Sequence, residues 1–209
     1  MDPAHTTPID RTSTILLDGL AQTMNQGAWI ELDERYRPIL VGFARRTGYS
    51  DDDAAELAQE ALGRFISAFR SGGYERERGR LRSWMIGIVR NCMHEHERGA
   101  GRQAQFLGQS VVERLPGPDA LESMWDTECQ KSILQRALGC LENESSFAPK
   151  TIQAFEMVAL EFQPVKAVSA ALGMSTNDVY VAKHRCLRKL VEIVSRLNLV
   201  YENEPRGES

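Results

Sequence analysis

The chain has little from which to build a membrane span, a disulfide scaffold or a metal centre. No apolar run reaches the roughly 18 residues that a transmembrane helix needs. The opening "MDPAHTTPIDRT" has neither the basic start nor the apolar stretch of a secretory signal, so a cytoplasmic protein without membrane insertion is expected. Its 4 cysteines (Cys92, Cys129, Cys140, Cys186) include no CxxC pair, and each falls within a helical pattern. Reduced, half-buried thiols are expected rather than disulfides or ligands. There is no Gly-rich phosphate loop, no motif pairing a nucleophile with a base and no convincing metal set, which argues against an enzyme and against a cofactor. Strand-like alternation of useful length is also missing, as are internal repeats. The expected class is all-α.

An excess of positive charge is lacking too. The net charge is −4, unsuited to a protein that coats nucleic acid indiscriminately. The average conceals two basic islands. From Arg64 to Arg102, nine arginines (64, 70, 76, 78, 80, 82, 90, 98 and 102) stand against Glu75, Glu77, Glu95 and Glu97, a local excess of +5. From Thr176 to Arg196, Lys183, Arg185, Arg188, Lys189 and Arg196 face only Asp178 and Glu192, an excess of +3. Such segregation suits localised contact with an anionic polymer.

Apolar residues recur at three- and four-residue steps through Thr14–Gly27 and again through Trp29–Thr47, where Gly48 supplies a stop. Ser50 then offers an N-cap, with Asp51, Asp52 and Asp53 complementing the dipole of a helix that Gly72-Gly73 ends. Its inward face is expected to be Leu57, Ala58, Ala61, Leu62, Phe65, Ile66 and Phe69. Helical pattern returns after "YERERGR" and gives way from Gly99 to Asp119 to "GAG", "GQS" and "LPGP", the composition of a flexible linker. The expected organisation is a helical domain over 1–98 with an N-terminal arm of about 1–27, a linker over 99–119, a second helical domain over 120–200 and a tail over 201–209.

The second domain contains "FQPVKAVSAALGMSTNDVYVAKHRCLRKLVEIV". A short helix over Val165–Leu172, a turn at Gly173, Met174 in the wedge and a second helix capped by Ser175 make a helix-turn-helix pattern. Val179, Ala182, Cys186, Leu187, Leu190 and Ile193 form its packed stripe. Thr176, Asn177, Tyr180, Val181, His184, Arg185 and Arg188 lie at the tip or opposite, placed to enter a major groove or grip its phosphates.

In the first domain, the helix "LRSWMIGIVRNCMHEHERGAGR" gathers Met85, Ile88, Val89, Cys92 and Met93 on one side and Trp84, Gly87, Asn91, His94, Glu95 and Arg98 on the other. An indole aligned with Asn, His and Arg after an arginine-rich loop suits a surface for unstacked bases, because aromatics stack on bases and Arg and His contact phosphates and base edges. "CMHEH" is not HExxH: Cys92 and His96 are one turn apart, His94 points away, and further ligands are missing.

"AELAQEALGRFISAF…RGRLRSWMIGIVRNCMHEHERG", followed by a linker and a helix-turn-helix, resembles bacterial RNA polymerase sigma factors of the extracytoplasmic-function type, over roughly Trp29 to Leu197. The resemblance implies a region 2 bundle and a region 4 helix-turn-helix, with no catalytic residues. It implies core polymerase and promoter DNA as partners. Glu56, Gln59, Glu60 and Arg64 would dock on the β′ clamp. Arg78, Arg80, Arg82, Trp84, Asn91, His94 and Arg98 would melt and capture the −10 strand. The helix-turn-helix residues named above would read the −35 element beside the β flap. An anti-sigma protein is a common partner in the family, though no residue here identifies one. Val181 and Ala182 depart from the family's recognition-helix pattern, while Arg185 matches it. The alternative is a free-standing helix-turn-helix regulator whose N-terminal domain senses a ligand or dimerises.

Overall fold

The computed structural model describes residues 19–20, 26–74, 81–106, 116–144 and 146–202, with only the backbone of 99–106, 144 and 202. The described residues contain seven longer helices and no strands, so the chain is all-α. They are α1 Gln26–Arg46, α2 Asp51–Arg70, α3 Leu81–Phe106, α4 Pro118–Glu144, α5 Pro149–Ala159, α6 Val165–Leu172 and α7 Thr176–Glu202. No described helix is long and apolar enough to cross a membrane.

Two compact units divide within α4, the described residues up to Ser132 forming one and Ile133–Glu202 the other. The helix that crosses the boundary expected at 99 runs on to Phe106, whereas α4 begins within two residues of the boundary expected at 120. α3 continues through Gly99 and Gly101 to Phe106, because an isolated glycine weakens a helix by only about 1 kcal/mol and does not end it. α4 begins at Pro118, where proline's missing N–H costs nothing at the first turn, and its first half buries Leu121 and Trp125 in the first unit. Residues 107–115, the middle of the expected linker, lie outside the described residues. So do most of the expected N-terminal arm and the tail beyond Glu202.

In the first unit, α1 packs on α2 and α2 on α3. The core comprises Leu32, Ile39, Leu40, Phe43, Leu57, Phe65, Leu81, Met85, Val89 and Met93, all at most 2% exposed. α1 begins three residues before Trp29 and runs through Pro38 on its exposed side. Its end is set at Gly48, whose φ of +97° lets the chain reverse while Gly48 N–H donates to Arg45 O at 3.0 Å. Ser50 caps α2, accepting from Asp53 N–H at 3.2 Å, above an acidic first turn. On α2's inward face, Leu57 through Phe65 are buried as expected, whereas Ile66 and Phe69 are half-buried. On α3, Ile86 is buried and Ile88 half-buried, a slight rotation of the expected stripe.

The second unit has Ala154, Val168, Val179 and Ala182 at its centre, with Met157, Val158, Val165, Leu172 and Met174 packed around them. Gly173, at φ +58°, ends α6 in the left-handed conformation, and Ser169 Oγ donates to Met174 O at 2.6 Å to tie the turn. Ser175 Oγ accepts from Asp178 N–H at 3.0 Å, while Asp178 Oδ2 accepts from Ser175 N–H at 3.3 Å. This reciprocal cap satisfies two orphan donors at the start of α7. Of the expected α7 stripe, Leu187 is the exception: it is 36% exposed, while Val179, Ala182, Cys186, Leu190 and Ile193 are buried.

Candidate nucleic-acid interface

α2 presents its polar edge by leaving Glu56 and Gln59 exposed. The other two residues expected there are engaged within the unit. Glu60 accepts from Arg64 at 2.6 Å and faces His96 Nε2 at 3.1 Å. Arg64 also makes a two-pronged contact with Glu95 on α3, at 3.0 and 2.5 Å. The Glu95 hydrogen bond raises the Arg64 pKa above its ordinary value, and the same contact lowers that of Glu95. Glu60 and Arg64 thus tie α2 to α3, and the solvent-facing edge consists of Glu56 and Gln59.

On α3, Trp84, Asn91 and Arg98 recur every seven residues and so lie along one side. Asn91 and Arg98 are exposed and His94 is half-buried, with Arg98 Nε donating to His94 O at 3.2 Å. Trp84 sits differently from a free indole platform. It is half-buried between Phe65 at 5.0 Å and the stacked ring of Tyr74 at 5.0 Å and 24°, with Phe69 beside Tyr74 and Phe65. Tyr74, the first residue of the "YERERGR" loop expected to meet the −10 strand, occupies a place beside the indole, though only the arginines of that loop are expected to make contacts.

Arg82 opens α3 and is paired with α4: Nη1 is 2.7 Å from Asp126 Oδ1, and Nη2 is 3.4 Å from Glu122 O. Arg78 and Arg80 lie outside the described residues. Cys92 is fully buried in the core of this unit and Cys186 in the other, deeper than the half-buried thiols expected. Burial is the main reason that both thiols are pushed up from the ordinary pKa, away from reactive thiolate. Among the described residues no group of three or more His, Cys, Asp or Glu is arranged to hold a metal ion.

On α7, all seven residues expected to meet DNA (Thr176, Asn177, Tyr180, Val181, His184, Arg185 and Arg188) are exposed. Tyr180 and Val181 are 52% and 45% exposed. Arg185 rests its guanidinium 5.0 Å over the ring of Phe147, in the turn before α5. That cation–π contact holds the charged end of a long side chain that could otherwise sweep through solvent.

Residues 32–103 match the Sigma-70 region 2 family. The match covers α1 from Leu32, α2 and most of α3, and it ends before α4. Curated relatives include the ECF RNA polymerase sigma factor SigD of Mycobacterium tuberculosis and of Mycobacterium bovis. Each is 27% identical over 201 residues, covering 91% of this chain and 87% of the relative. Among solved structures, that of CnrH in complex with the cytosolic domain of CnrY aligns over 87% of this chain and 96% of its own, with 19% identity and a TM-score of 0.35. The family match on the first unit and the near full-length relatives agree with the motifs along α2 and α3: the chain carries a Sigma-70 region 2 domain and is similar to RNA polymerase sigma factors of the extracytoplasmic-function type.

Proposed function

We propose that the chain is an RNA polymerase sigma factor of the extracytoplasmic-function type, which docks on the core polymerase β′ clamp through Glu56 and Gln59, with Glu60 and Arg64 setting the pose of that edge. The second unit reads duplex −35 DNA beside the β flap with the exposed face of α7, and the first unit melts and holds the −10 strand along Asn91, His94 and Arg98. Arg78, Arg80 and Arg82 supply phosphate contacts, and the Trp84–Tyr74 pair provides aromatic surface at the end of that face. The work is done in the cytoplasm, without a cofactor and without catalysis of its own. The observation that carries the reading is one chain containing both a region 2 match and a packed helix-turn-helix whose seven candidate reading residues are exposed. Unpaired bases are held by stacking and pockets, whereas a duplex is read by a helix in its groove, so the two halves of the task call for two such devices.

The test is run-off transcription with purified core polymerase, followed by sequencing of the start sites. Discrete starts that depend on added protein and share two upstream elements are the expected result. Glu56→Lys with Gln59→Lys should weaken core binding, and Arg185→Ala with Arg188→Ala should weaken use of the upstream element. Operator binding by the protein alone, with no polymerase-dependent starts, would refute the assignment in favour of a free-standing regulator.

A further inference from the structure

Arg82 faces two carboxylate-bearing residues one helical turn apart. Its Nη1 lies 2.7 Å from Asp126, while its Nη2 lies 3.4 Å from the Glu122 carbonyl and 3.9 Å from the Glu122 carboxylate. An apolar anchor holds these groups there. Leu121 and Trp125, on the same half of α4, are at most 2% exposed, and Trp125 meets Phe43 of α1 edge-on at 6.1 Å. Farther along the same half, Glu128 pairs with Arg46 of α1 at 2.5 Å. Acidic residues on different sides of α4 thus meet arginines from both α1 and α3. The segment lies beyond residues 32–103, so it is an addition to the region 2 bundle.

A guanidinium whose N–H groups point at a carboxylate cannot offer the same N–H groups to a phosphate, which is matched by the same fork geometry. Asp126 and Glu122 are more than half exposed, at 58% and 61%, so the pairing is of the readily exchanged surface kind. We propose that the first half of α4 is an internal competitor of the promoter strand: Asp126 and Glu122 take the place of a backbone phosphate on Arg82, and strand binding requires their release. The inference rests on the −10 role given to Arg82 above.

The test measures affinity of the full chain for a fluorescein-labelled single-stranded oligonucleotide at low salt, where phosphate contacts are strongest. Asp126→Asn should tighten binding by about two- to fivefold, the range of an exposed ion pair. Asp119→Asn changes the charge equally, at a residue of the same helix seven positions before Asp126, and should tighten it less. Arg82→Gln should weaken binding, and Asp126→Asn should give no gain in that background. If Arg82→Gln binds like the wild type, the −10 assignment of Arg82 falls and the competition with it. If Arg82→Gln weakens binding but Asp126→Asn keeps its full gain beside it, the competition is refuted while the −10 assignment stands.

Discussion

Gly42, near the C-terminal end of α1, is where the docking of α4 can be tested most sharply. A Cβ built there would lie 2.8 Å from Glu128 Cδ and 3.1 Å from its Cγ, with Oε2 closer still. Alanine is preferred over glycine inside a helix by about 1 kcal/mol, so at an unobstructed site Gly42→Ala would stabilise. Here the methyl group requires Glu128 to leave. That carboxylate is only 8% exposed and is paired with Arg46 at 2.5 Å and Lys131 at 2.8 Å. Breaking a fully buried pair costs about 3–5 kcal/mol. Arg46 and Lys131 are 38% and 56% exposed, which reduces the figure to about 2–3 kcal/mol after allowing for screening. The helix gain offsets part of that, leaving a net destabilisation of about 1–2 kcal/mol. All 3 tryptophans (Trp29, Trp84, Trp125) lie in the first unit, so urea unfolding followed by tryptophan fluorescence reports that unit alone. In a Glu128→Ala background the obstruction is gone, and Gly42→Ala should change sign and stabilise by up to about 1 kcal/mol. If Gly42→Ala stabilises the wild-type chain, α4 does not approach α1 as described and the internal competitor loses its anchor.

Glu128 also sets a pH dependence. Burial opposes its charge, but hydrogen bonds from Lys131 and Arg46 outweigh this and hold its pKa below the ordinary glutamate value. A depressed native pKa means that its stabilisation is present above the unfolded-state value, near about 4.3, and is lost as pH falls through the native one. Glu128→Gln should therefore lower fluorescence-monitored stability at pH 7 and flatten its acid limb. An acid limb identical to wild type would remove Glu128 from that role. Phe162 has a φ of +57° and is 85% exposed, so Phe162→Gly relieves backbone strain without losing packing. It should stabilise the second unit by up to about 1 kcal/mol in circular-dichroism melts, and a loss would show that the ring is held by contacts. Phe147→Leu keeps apolar bulk but removes the ring beneath Arg185 and should weaken −35 duplex binding about two- to fivefold, with Phe147→Tyr near wild type; equal effects of both would rule out the cation–π contact. Ser50→Ala should cost about 1 kcal/mol of first-unit stability through loss of the α2 cap, and a neutral result would mean that water replaces the serine oxygen.

Much of this molecule is legible in sequence because its determinants are local. Helical periodicity, the Ser50 and Ser175 caps and the reversals at Gly48, Gly72 and Gly173 depend on residues within a turn of one another. The same holds for the exposed face of α7: once Val179, Ala182 and Cys186 face inward, the geometry of one helix places Tyr180, His184 and Arg188 outward. Leu187 shows the limit of that logic, since an apolar residue at the margin of the stripe packs only if a neighbour reaches it. Which polar residues are available for a partner is a different kind of question. Glu60 and Arg64 look like docking residues on α2 alone, but their partners Glu95 and His96 lie 31 and 36 residues away on α3. Trp84 looks like a bare platform on a helical wheel, yet the fold brings Phe65 and Tyr74 to its ring. Pro118, at the end of a stretch that reads as linker, opens a helix whose next turns bury Leu121 and Trp125 and set Asp126 on Arg82, an arrangement that needs α1, α3 and α4 assembled. Local pattern fixed the helices, their caps and the helix-turn-helix because those interactions close within a few residues. Only the tertiary structure decided which charges and rings were already taken, because their partners are distant in sequence and meet through packing.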